Sequence, residues 1–217
     1  PQPVTTTFSV PVQLAAAATL AEAPQPAALV AVDPGTGEIL AGSSSPTDGF
    51  NRSLSGQYPP GSTFKVVTSA GLLDSGVTTD QIVSCPSEIE INGNTISNFE
   101  GQSLGDVPFS EVFVNSCNTG FIALAQDLGA EALDAAASDA GFDVDYDIGT
   151  DSVGGVFPLP AGPVELGAAS IGQAQVLASP LHMASVAAAA ESGTWNAPRL
   201  IRDETVEPIA VPEAIPP

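Results

Sequence analysis

The sequence predicts an α+β fold, with a β-hairpin near its beginning and a mostly helical body behind it. Three observations carry that prediction. The apolar run 27–32 and the shorter run 38–41 flank Asp33-Pro34-Gly35-Thr36-Gly37, a turn-forming stretch between two strand patterns. Residues 62–73 carry Phe64, Val66, Val67, Ala70, Leu72 and Leu73, too many apolar side chains for one narrow stripe, so that helix is buried on most sides. Glycine and proline then cut the remaining chain into pieces of helical length.

In chain order, "VTTTFSV" reads as a short extended piece, and an alanine-rich helix follows over about 11–23. The hairpin comes next, then a loop rich in serine, glycine and proline, "SSSPTDGFNRSLSGQYPPG". After the buried helix, "FSEVFVNSCNTGFIALAQDLG" predicts two helices interrupted over 115–118. "AEALDAAASDAGF" is a further helix between Gly129 and Gly141. A helix starts near Val164, and a longer one follows Ser179-Pro180, where proline suits the first turn. The closing "RDETVEPIAVPEAIPP" is acidic and proline-rich, a linker or tail over 202–217. No internal repeat is visible.

Composition narrows the function. Lys+Arg number 4 against 25 Asp+Glu, a formal net charge of -21. That field repels phosphate backbones and anionic membranes, so nucleic acid is not an expected partner. With 217 residues and 43% hydrophobic composition, the chain is long enough for one domain with a substantial core. No apolar run reaches the length of a bilayer span, and no basic segment precedes an apolar one as in a signal peptide. The first residues read as the interior of a longer protein. Cys85 and Cys117 allow one disulfide or two buried thiols, and their spacing fits no zinc pattern.

Lys65 is the only lysine. Pro59-Pro60-Gly61 ends one element and lets a helix begin at or near Ser62, so Ser62 and Lys65 are three apart on one helical face. A hydroxyl is a weak nucleophile until a base removes its proton. Apolar neighbours and the positive helix N-terminus both push a lysine towards the neutral form that can serve as that base. The same terminus offers a backbone N–H to a developing oxyanion. The bland alternative is a surface lysine snorkelling from its helix. Ser116 and Asn118 lie in the break inside "NSCNTG", where they can relay a proton and bind a substrate carbonyl, or simply cap a helix.

Taken together, "YPPGSTFKVVTSAGLL" and "SCNTGFIALAQDLG" resemble the transpeptidase domain of penicillin-binding proteins. "PAALVAVDPGTGEILAGSSSP" is similar to that family's opening hairpin, and "SIGQAQVLASPLHMASVAAAAESGTWNAPRLI" to its later helical region. The likeness runs from about Thr5 to Ile201. It implies a penicillin-binding/β-lactamase-like fold in which Ser62 is the acylated nucleophile and Lys65 its general base. Ser116 then shuttles a proton, and Asn118 holds the substrate amide. It also implies a D,D-transpeptidase acting on the D-alanyl-D-alanine end of peptidoglycan stem peptides, inhibited by β-lactams, with no metal or organic cofactor. Cell-wall synthesis proteins become candidate partners. The implied location is extracytoplasmic, with membrane anchoring by a segment absent from this chain.

One departure stands out. The family's third motif, Lys-Thr-Gly on a late strand, cannot be present, because Lys65 is the only lysine. Residues 1–201 are therefore expected to be an incomplete transpeptidase domain, mainly its helical region and opening hairpin, with the last strands missing. Truncation is preferred over decay. Carboxypeptidases and β-lactamases share the two motifs that are present, and a non-catalytic module recognising stem peptides or β-lactams is the alternative from another class. The remaining polar candidates have plainer readings. His182 is a packing residue with its nitrogen satisfied, Trp195 and Met183 are core, and Arg52, Arg199 and Arg202 are solvated. Asp143, Asp145 and Asp147 alternate like a calcium loop but lack its glycine and terminal glutamate, so an exposed strand or loop is expected.

Overall fold

The computed structural model describes residues 3–202; all of the expected tail except Arg202 lies outside the described residues. The first helix, α1 (Val10–Ala21), begins with Pro11 in its first turn, where no amide donor is needed. It packs on β2 of the opening hairpin, β1 (Ala27–Val32) and β2 (Ile39–Ser45), whose antiparallel register runs from Ala27↔Ser45 to Val32↔Ile39. The turn forms because Asp33 Oδ1 accepts from Gly35 N, Thr36 N and Thr36 Oγ1 at 2.9–3.0 Å. Gly37 has φ +71°, and a Cβ there would meet the Ala197 carbonyl at 2.6 Å, so glycine is required.

A single short turn, α2 (Arg52–Ser55), is capped by Asn51 and leads to the 3-10 turn Gly61–Phe64 and then α3 (Lys65–Asp74). As its composition predicts, α3 is enclosed by neighbours. Its Phe64–Val67 end joins a core with Leu133, Ala137, Phe142, Phe157, Val176 and Val186, and Leu72 joins a second core around Val83, Phe109, Phe121 and Ile122. Thr68, fully buried, satisfies its hydroxyl by donating to Ser170 O at 2.7 Å.

Residues 82–108 differ from the helical expectation. They form β3 (Ile82–Cys85), β4 (Glu88–Ile91), β5 (Asn94–Ser97) and β6 (Gly105–Pro108), with β3 paired to β6 and β4 to β5. These strands are four residues each, and "EIEINGNTIS" is a hairpin whose alternation and Asn92-Gly93 turn were available signals. Short strands with one half-buried face contribute little apolar character, which is why the wider helical pattern obscured them.

Beyond them come α4 (Phe109–Val114), α5 (Asn118–Leu128), α6 (Ala130–Asp139), β7 (Gly155–Val156), α7 (Pro163–Ser170), β8 (Leu177–Ala178) and α8 (Pro180–Ser192). The helix break falls at 115–117, and Ser179 caps α8 by accepting from His182 N at 3.0 Å. Residues 143–151 are loop, so the alternating aspartates lie on no strand. Trp195 is core, as expected, and donates to Ser185 Oγ at 2.8 Å, whereas Met183 is only partly buried. His182 corrects the sequence reading: it is buried, but neither ring nitrogen has a hydrogen-bond partner among the described residues. Arg199 and Arg202 are also more engaged than expected, since both pair with Glu38, at 3.5 and 2.9 Å. Their half-exposed side chains make these modest contributors.

Candidate active site

The serine-lysine pair sits where the chain tightens into α3. Ser62 is exposed in the 3-10 turn rather than in the α-helix itself, and its carbonyl accepts from Lys65 N. That turn is held from outside: Gly61 N donates to Gly172 O at 2.9 Å. Gly172 has φ +70°, and a Cβ there would collide with the Gly61 carbonyl. Gly172 is a supporting residue that the sequence reading passed over. Its signal was a glycine just after the end of a helical stretch in "SIGQ".

Lys65 is 2% exposed, and burial pulls its ammonium down to about 8 from the ordinary 10.5. Its Nζ does not reach back to bond Ser62. Instead it donates to Ser116 O at 2.7 Å, Ser116 Oγ at 3.0 Å and Asn118 Oδ1 at 2.7 Å. Three acceptors match the three hydrogens of an ammonium, and none of the three is charged. The Phe121 ring lies beneath, with Nζ 5.3 Å from its centroid. These contacts favour the cation, while burial favours the neutral amine. The outcome is a lysine that can lose its proton just above neutral pH.

Two motifs separated by 51 residues in sequence are thus brought together through one ammonium. The break between α4 and α5 presents the second motif. Ser116 takes a left-handed φ of 55°, uncommon for a residue with a side chain, and is exposed. Its Oγ accepts from Lys65, leaving its own hydrogen available to donate. Asn118 accepts from Lys65 through Oδ1 and donates from Nδ2 to Ser97 O at 3.3 Å. A carboxamide has two N–H groups, so one remains for a ligand carbonyl. Between them, Cys117 forms a disulfide with Cys85, resolving the two alternatives left by the sequence.

Chemically, the site offers an accessible hydroxyl, a buried amine tuned towards neutrality, a second hydroxyl on that amine and an amide donor. This is the equipment of nucleophilic acyl transfer. Among the described residues no cluster of histidine, cysteine, aspartate or glutamate could hold a metal ion.

Known proteins resemble this chain in sequence and in fold. The family described as penicillin binding protein transpeptidase domain matches residues 27–212. Peptidoglycan D,D-transpeptidase PbpA of Mycobacterium tuberculosis is 36% identical over 204 aligned residues, covering 76% of this chain and 40% of that protein. The structure of penicillin-binding protein A from M. tuberculosis as an imipenem acyl-enzyme complex superposes with a TM-score of 0.86 at 29% identity, over 96% of this chain and 57% of that one. The D,D-transpeptidase domain of a peptidoglycan glycosyltransferase from Eggerthella lenta gives 0.83 at 29% identity, over 98% of this chain and 60% of that one. The chain therefore spans less than half the length of the curated relative and just over half of those solved structures.

Proposed function

Because the chain belongs to the penicillin-binding protein transpeptidase domain family, we propose that it carries the acyl-enzyme-forming part of a peptidoglycan D,D-transpeptidase. The observation that supports this most directly is the bridging of Ser116 and Asn118 by the Lys65 ammonium at the base of the Ser62 turn. In this reading, neutral Lys65 accepts the Ser62 hydroxyl proton as Oγ attacks the carbonyl between the two terminal D-alanines of a stem peptide. The C–N bond then breaks. Ser116 gives its proton to the departing amine and regains one from Lys65, and terminal D-alanine leaves with Ser62 esterified. An amine of a neighbouring stem resolves the ester, forming the cross-link and restoring Ser62. Asn118 Nδ2 holds the donor peptide in line. A β-lactam ring opens on Ser62 by the same attack, but its leaving group stays attached.

Residues 1–201 are proposed to be the nucleophile-bearing portion of a transpeptidase domain, with the basic third motif contributed by chain beyond it. The 40% coverage of the curated relative supports this reading, as does the absence of a second lysine. An extracytoplasmic location, anchoring by a segment outside this chain and association with other cell-wall synthesis proteins follow as parts of the same proposal. No helix among the described residues is long and apolar enough to cross a membrane.

The test is labelling with a fluorescent penicillin, followed by peptide mass spectrometry, beside a Ser62→Ala control. An adduct on Ser62 that the control lacks is expected, from this chain or from a longer one carrying Lys-Thr-Gly. No adduct from either would remove the enzyme reading and leave a non-catalytic recognition module.

A further inference from the structure

The second motif spans the end of a three-residue break and the first residue of α5, with Ser116 in an unfavourable left-handed conformation. A segment of that kind wanders unless its surroundings over-determine it. We propose that Asn98 is the residue that positions the second motif, acting through Thr119 as a distant cap of α5 and holding Ser116 and Asn118 on the Lys65 amine. This rests on the acyl-transfer reading only for its catalytic consequence; the positioning itself is a matter of geometry.

Helix α5 opens with amide groups that need acceptors, yet its local cap is only the Cys117 sulfur, which accepts from Gly120 N at 3.3 Å. A disulfide sulfur is a weak acceptor. The stronger cap comes from 21 residues away: Asn98 Oδ1 accepts from Thr119 N at 3.0 Å. Asn98 Nδ2 reaches two carbonyls, Pro86 O and Gln102 O, each at 2.8 Å, with Thr119 Oγ1 at 3.2 Å and Cys85 Sγ at 3.5 Å alongside. Thr119 Oγ1 in turn donates to Pro86 O at 2.8 Å.

Asn98 is 5% exposed and Thr119 fully buried, so the bonds lie out of water, where each is stronger and each loss more costly. Ser97 completes the alignment by accepting from Asn118 Nδ2, so consecutive residues 97 and 98 grip consecutive residues 118 and 119. The Cys85–Cys117 disulfide ties residue 117 to β3 as well, with Asn98 Nδ2 against the Cys85 sulfur. Asn98 makes no hydrogen bond to Ser62 or Lys65. It acts on the amine only by holding the residues that the amine touches.

Lys65 being the only lysine makes the test clean, because isotope-labelled lysine reports one site. The ε-methylene NMR signal would be titrated in wild type, Asn98→Ala and Thr119→Val, with penicillin acylation of Ser62 and thermal unfolding measured on the same samples. Thr119→Val keeps the side-chain shape and the Asn98–Thr119 amide bond and removes only the hydroxyl links, so it should shift the midpoint less than loss of Asn98 itself. Asn98→Ser, whose hydroxyl is one bond shorter than the carboxamide oxygen and loses the hold on the Thr119 amide, decides if Asn98→Ala does not fold. Once the break is released, water reaches the amine. The Lys65 midpoint is therefore expected to rise from about 8 by about one unit in folded Asn98 variants, towards the ordinary lysine value. Acylation should slow by roughly 10- to 100-fold. An unchanged midpoint in a folded Asn98 variant whose melting temperature has fallen would overturn the proposal and leave Asn98 a purely structural residue. A shifted midpoint together with no adduct on wild-type Ser62, in this chain or in a longer one carrying Lys-Thr-Gly, would uphold the positioning role and reject the acyl-enzyme reading.

Discussion

Replacing His182 tests how deeply the helical core excludes charge. The imidazole is fully buried, set edge-on to Phe142 at 4.4 Å between ring centroids and 6.2 Å from Trp195, with no partner on either nitrogen among the described residues. Burial lowers its pKa to about 4 from the ordinary 6.5. In the folded chain the ring stays neutral until pH falls near 4, while in the unfolded chain it takes up a proton from 6.5 downwards. The unfolded state therefore binds more protons throughout that window, and stability falls as pH falls through it. The contribution is fully present above 6.5. The loss is about 2 kcal/mol by pH 5 and approaches roughly 3 kcal/mol near pH 4.

A single protein's pH profile also carries every other group that takes up protons on unfolding. The difference between wild type and His182→Phe removes what they share. Urea unfolding from pH 7.5 to 4.5, followed through Trp195, the only tryptophan, measures it. Phenylalanine is bulkier, and His182 already crowds Gly155, so a constant offset is expected; His182→Gln checks the slope with a smaller neutral side chain. Wild type should lose about 2 kcal/mol more than either variant between pH 7.5 and 5. A difference that stays flat with pH would show that the buried imidazole meets water or a partner, and the reasoning would fail.

Two further outcomes follow from the site. If neutral Lys65 is the base, the penicillin acylation rate should rise about tenfold per pH unit up to about 8 and then level; Lys65→Arg, always charged, should lower it by ~10²–10⁴. Gly172→Ala should destabilise the chain by about 1–3 kcal/mol, because a side chain meets both a left-handed φ and the Gly61 carbonyl. It should also slow Ser62 acylation, since the nucleophile's turn must shift; urea unfolding and stopped-flow labelling measure the two effects.

Local patterns carried far into the structure. The Asp33–Gly37 turn, the buried helix after Ser62, the break between α4 and α5, and the Ser179-Pro180 start of α8 each depend on residues within a few positions of one another. Backbone sterics and side-chain capping settle such features wherever the chain goes next. The serine-lysine spacing and the Ser116–Asn118 pair were legible for the same reason, but their relation was not. Helical spacing pointed Lys65 towards Ser62, whereas its amine bonds across 51 and 53 residues to the second motif.

Only the tertiary structure decided those long-range terms. It joined Cys85 to Cys117, where sequence allowed either a disulfide or two thiols. It also put Asn98 under Thr119 and Gly172 against Gly61, and left His182 without the partner expected of a buried polar ring among the described residues. A single sequence encodes what each residue prefers locally. Which distant acceptor a buried donor finds depends on how the helices and short strands pack, and that packing brought residues 97–98, 117–119 and 65 to one place.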